Sequence, residues 1–96
     1  MAGNIYSSKT FVVSQNALST AAESIGGVNP ARIRMRIRNM DASISVYYGH
    51  TSGVTTANGA LIPAGASEDI DSIAEIWMIA ASGTPTVCLA EFIGPR

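Results

Sequence analysis

The chain has little charge, a single cysteine, few aromatic residues and no long apolar run. Only 14% of its 96 residues are charged, against about 25% in an ordinary soluble domain. A net charge of −1 supplies no global field to draw nucleic acid or anionic lipid, so neither a nucleic acid nor a membrane is expected as partner. One cysteine builds neither a disulfide framework nor a zinc site. No apolar stretch approaches the roughly 18–20 residues of a membrane-spanning helix. Met1 to Ser8 is polar and lacks the basic start and apolar block of a signal peptide.

What is plentiful is apolar. Hydrophobic residues make up 47% of the chain, too many for disorder. The length allows one domain, expected over 9–93, with a flexible arm at 1–8 and a short tail at 94–96. A lone domain of this size does not need so many apolar residues. The excess implies burial against other subunits, and a homo-oligomer is expected.

The pattern along the chain is β. Lys9 to Ser14 is a short β-branched and aromatic run, while the alanines of Ala17 to Ile25 leave a helical turn open. Gly26-Gly27 and Asn29-Pro30 then break the chain. From Ala31 to Arg38, apolar Ala31, Ile33, Met35 and Ile37 alternate with Arg32, Arg34, Arg36 and Arg38. Period two over eight residues predicts a strand with one buried face and one basic face. Asn39-Met40-Asp41 turns the chain, and Ser43 to Tyr48 resumes the alternation, which predicts a hairpin with one tyrosine on each face.

Residues 49–65 are rich in Gly, Thr, Ser and Asn, which predicts a loop with a short strand at Leu61-Ile62. Ser67 to Asp71 alternates weakly. Ala74 to Ala81 is apolar almost throughout, as in a strand covered on both faces. Thr84 to Phe92 supplies the last strand, with Pro85 at its start. Seven to eight short strands predict an all-β fold, a small jelly-roll-like β-sandwich or a β-barrel.

Chemistry is thinly marked. Gly49-His50-Thr51-Ser52-Gly53 imitates the G-x-S-x-G elbow, but its centre is Thr51 and no helix follows. His50 is the lone histidine and stands beside the supposed nucleophile, so no triad can form. Glu68, Asp69, Asp71 and Glu75 lack the order of a calcium loop and read as a solvated face or as ion-pair partners. Cys88 reads as a small buried hydrophobe. No enzyme activity, metal or cofactor is expected.

The arginine stripe is the sharpest feature. Its guanidinium groups are expected to pair with Glu68, Asp69, Asp71, Glu75 or Glu91 of the same subunit, or to meet acidic groups of another subunit. Nucleic acid is the weakest option, because the stripe has no stacking aromatics on its face. Trp77, flanked by Ile76, Met78 and Ile79, reads as a core or interface anchor. Arg32, Arg34, Arg36, Arg38, Tyr47 and Trp77 are thus the expected partner-facing residues.

One order of motifs is more specific: I-R-N (37–39), V-Y-Y-G (46–49), V-T-T-A-N-G (54–59), L-I-P-A-G (61–65) and I-W-M-I-A-A-S-G-T-P-T-V (76–87). It resembles a small β domain of virion structural proteins of tailed bacteriophages, among them short capsid decoration (cement) proteins and head-fibre-like proteins. The likeness covers Arg36 to Val87. It implies a protein made in the host cytoplasm and carried on the capsid surface, with the major capsid protein as partner and a trimer as the favoured assembly. A neck, tail or baseplate adaptor and a carbohydrate-binding module are the alternatives. No catalytic residue comes with the resemblance.

Overall fold

Eight strands and no helix make up the described chain, residues 10–94 of a computed structural model. They are β1 (Thr10–Ala17), β2 (Glu23–Gly26), β3 (Arg32–Asn39), β4 (Val46–Gly49), β5 (Ala60–Ile62), β6 (Ser67–Ile70), β7 (Ile76–Ala80) and β8 (Thr86–Ile93). The first sheet has the order β1-β8-β3-β6 and the second β2-β7-β4-β5. Every pairing is antiparallel. The result is the expected β-sandwich, with the sheets enclosing one core. The expected arm at 1–8 and the end of the tail lie outside the described residues.

Period-two patterning builds that core. Met35 and Ile37 of β3 and Val87 and Leu89 of β8 face Val46, Ile62, Ile76, Met78 and Ala80 of the second sheet. Each is buried, and full burial of the valine, leucine, isoleucine and methionine side chains contributes about 1.5–3 kcal/mol apiece. Leu18 closes one end, where its N–H donates to Pro85 O at 2.8 Å.

Several expectations change. The chain at 17–25 forms no helical turn; its C-terminal part is β2. β3 and β4 are not a hairpin, because they lie in different sheets. The turn between them carries the chain across the sandwich. Asn39 explains why. Its buried Nδ2 donates to Ile44 O at 2.8 Å and Ile62 O at 3.1 Å, and its Oδ1 accepts from Asp41 N at 3.1 Å. The side chain thus ties the end of one sheet to β5 of the other and to the segment that leads into β4.

β7 is covered on one face only. Ile76, Met78 and Ala80 are buried, whereas Trp77 and Ile79 are half-buried on the outer side. Cys88 is likewise half-buried, on the outer face opposite Arg38, and is not a core residue. The loop before β6 turns at Pro63–Ala66, with Ala66 N donating to Pro63 O at 3.0 Å. Gly65 occupies the third position at φ +77°, which a type II turn reserves for residues without a Cβ penalty.

Candidate interaction surface

The four arginines do not share one face. Between β3 and β8 the register shifts by one residue: Arg32 pairs with Ile93, but Arg34 pairs with Phe92. Ile33 is the extra residue of a β-bulge, and a one-residue insertion reverses the side-chain alternation. Arg34, Arg36 and Arg38 therefore point outward, while Arg32 turns inward and is wholly buried.

The Arg32 guanidinium joins three parts of the chain at one end of the sandwich. Nη1 donates to Ser72 O at 3.1 Å and Ala74 O at 2.9 Å, in the connection between β6 and β7. Nη2 donates to Gly27 O at 2.7 Å and to Glu91 Oε1 at 2.9 Å. Only Nε is without a partner. Arg32 is a structural tie and is corrected from the partner-facing set.

The outward arginines find partners mostly within the subunit. Arg34 Nε lies 3.0 Å from Asp71 Oδ1, and Arg36 grips Asp69 through Nε at 2.7 Å and Nη2 at 3.1 Å. The bidentate bond holds the Arg36 pKa above its ordinary value and that of Asp69 below its own. Both pairs are exposed, so each adds little to stability. Arg38 has no ion-pair partner among the described residues. The other two carboxylates of the acidic cluster serve elsewhere: Glu68 Oε2 accepts from Tyr48 Oη at 3.3 Å, and Glu75 Oε2 accepts from Ser24 Oγ at 2.7 Å. Burial, followed by the charge of Glu68, raises the Tyr48 pKa.

The outer face of the second sheet is different in character. The two tyrosines lie on opposite faces, as expected; Tyr48 packs inward against the core and Tyr47 points outward. Tyr47 stands directly opposite Leu61 of β5 and Ile79 of β7, in one row across three strands. Trp77 lies two residues from Ile79 on the same face, opposite Gly49. Leu61 is 50% exposed, and the other three are half-buried. Sequence reasoning found Tyr47 and Trp77 but missed Leu61 and Ile79, which the cross-strand register supplies.

The elbow-like loop holds no nucleophile arrangement. Thr51 Oγ1 accepts from Gly53 N at 3.3 Å, and Thr51 O accepts from Val54 N at 3.2 Å, so Thr51 shapes a local turn. His50 is exposed at its edge. A shallow apolar hollow beside it is lined by Tyr48, Ile70, Ala74 and Ile76. Among the described residues no three His, Cys, Asp or Glu side chains are placed to hold a metal ion.

No protein-family model matches the chain, and no curated protein matches it in sequence. Solved structures do match in shape. The stem and receptor binding domain of the spike protein P1 from bacteriophage PM2 superposes with a TM-score of 0.61 at 15% identity, over 85% of this chain and 33% of that one. Hydroxypropylphosphonic acid epoxidase from S. wedmorenis gives a TM-score of 0.55 at 19% identity, over 85% of this chain and 43% of the enzyme. A protein of Bacillus endospore appendages, which are disulfide-linked pili, gives 0.49 at 11% identity, over 90% and 87% of the two chains. The chain thus spans between a third and a half of the first two proteins. A fold shared by a virion spike and an epoxidase is a scaffold that hosts more than one function. The likeness establishes a small all-β sandwich.

Proposed function

We propose that this chain is a structural protein of a virion, most specifically a capsid decoration domain that binds the major capsid protein on the outside of the shell. The observation that carries the reading is the outward row of Leu61, Tyr47 and Ile79, extended by Trp77. Aromatic and aliphatic side chains grouped on one outer sheet face are the composition of an interface centre. The opposite outer face has its charges largely neutralised at home by Asp69 and Asp71, leaving Arg38 as its free cation among the described residues. Attachment through the apolar row, repeated over a shell, gains strength from avidity. The similarity in fold to a domain of a bacteriophage spike supports a virion setting.

The test is to add purified protein to particles lacking it and measure occupancy by co-sedimentation, following in the wild type also the fluorescence of Trp77, the single tryptophan. Binding with a blue shift is expected. Tyr47→Ser with Trp77→Ser should abolish occupancy, whereas Arg34→Ser with Arg36→Ser should leave it near wild type. Absence of binding to any particle overturns the reading. The second reading is an adaptor at the neck, tail or baseplate, which a dozen or fewer copies per particle would identify. A fluorescence response to glycans in place of particles would point instead to a carbohydrate-binding module.

A further inference from the structure

The four edge strands of the sandwich are not alike. β2 is four residues long, carries Glu23 and is broken by a register shift before Gly26. β5 has three residues. β6 has four, of which Glu68 and Asp69 are charged. Shortness, bulges and charge are the devices that keep a sheet edge from pairing with another chain. β1 has none of them. It runs eight residues, Thr10–Ala17, in unbroken register with β8, and contains neither a charge nor a proline. No described strand pairs with its other edge.

Its side chains add a second observation. Val12 is 49% exposed and Val13 52% exposed. As neighbours in a strand they point to opposite faces. A partner lying on one face of the sheet would cover one valine and leave the other in water. Only a strand alongside, in the plane of the sheet, reaches both.

We infer that β1 is a self-pairing edge, at which a second copy of this chain adds its own β1 antiparallel about a two-fold axis. An axis perpendicular to the sheet keeps the outer faces on the same side and sets residues of like parity opposite each other. We place the axis at Val13, the more exposed of the two valines, so that Val13 meets Val13 of the second copy and Val12 meets Ser14. An uncharged strand is compatible with itself in this way because no like charges come together. The two four-stranded sheets become one of eight. The inference is independent of what the Tyr47 face binds.

Sedimentation of the purified full-length chain, without particles, tests it. A dimer is expected. Val13→Lys, which sets two ammonium groups opposite each other at a half-exposed site, should weaken association at least tenfold while circular dichroism stays unchanged and melting matches that of the wild type at dilutions where both are monomers. Val13→Cys in a Cys88→Ser background should cross-link to a covalent dimer with a short bis-maleimide. A chain that is monomeric at the highest concentrations reached, which is also the result expected if β1 serves a strand of another protein, would overturn the inference. So would a trimer or dimer that survives Val13→Lys, or one dispersed by Trp77→Ser in its place.

Discussion

Arg32 and Glu91 are joined at 2.9 Å, with the guanidinium wholly withdrawn from solvent and the carboxylate still 21% exposed. The pair is asymmetric: Arg32 depends on Glu91 for charge compensation, whereas Glu91 retains water. Replacing Glu91 by Gln keeps a hydrogen-bond acceptor but leaves a buried cation without its counter-charge. A loss of about 3 kcal/mol in urea denaturation is expected, at the lower end for broken buried pairs because water can reach the site. Arg32→Lys should lose at least as much, since a single ammonium cannot span carbonyls of Gly27, Ser72 and Ala74 together with Glu91. Wild-type stability in both variants would show that the tie contributes nothing.

Asn39 offers a neutral counterpart. Asn39→Ala strips Ile44 O and Ile62 O of their donor and Asp41 N of its acceptor. Buried groups left unsatisfied cost roughly 1–3 kcal/mol. A loss of about 2 kcal/mol is expected, and Asn39→Asp should be worse, because its carboxylate would face two carbonyl oxygens. Equal stability of the alanine variant would mean that water replaces the amide.

Acid should weaken the fold through Asp41 and Asp69. Backbone N–H groups of Ser43, then of Ile44, bond Asp41 and lower its pKa, and Arg36 lowers that of Asp69. A carboxylate whose pKa is depressed by folding contributes its full stabilisation above the unfolded value, about 3.9 for aspartate. That contribution disappears as pH falls through the lower folded values. Melting temperature should therefore hold steady from neutral pH to about pH 5 and decline below about pH 4. Asp41→Asn should shallow the decline, and an identical acid profile in that variant would remove Asp41 from the account.

Gly59 lies where a Cβ cannot be placed without movement. The added carbon would stand 2.8 Å from Tyr47 Cβ, 2.9 Å from Thr55 O and 2.9 Å from Val54 Cγ2. Gly59→Ala should cost about 1–3 kcal/mol, as overpacking does, and should displace Tyr47 enough to weaken particle binding. Gly27→Ala meets nothing within 4 Å and serves as the matched control. Equal melting temperatures for the two would show that the loop at 54–59 yields freely.

Much of the fold is legible in the sequence because period two is a local property. Strands at 32–39, 46–49, 60–62 and 86–93 follow alternation and turn residues visible within eight positions. The inward Tyr48 and outward Tyr47 follow from the same parity. The hairpin predicted at Asn39 fails for a different reason. A turn motif specifies a reversal of the chain, but whether the next strand pairs or crosses to another sheet depends on what the buried Asn39 amide finds there.

The candidate surface was half legible. Tyr47 and Trp77 stand out as large residues in a chain that is only 6% aromatic. Leu61 and Ile79 join them through strand register, which no single segment encodes. The sequence by itself determined the β class, the single core and the separation of basic from acidic residues. Tertiary structure decided which way Arg32 points. One extra residue at Ile33, unmarked in composition or spacing, reverses the parity of β3 and turns a stripe of four arginines into three outward and one buried. Alternation is set by neighbours along the chain, whereas a bulge is set by the strand across the ladder.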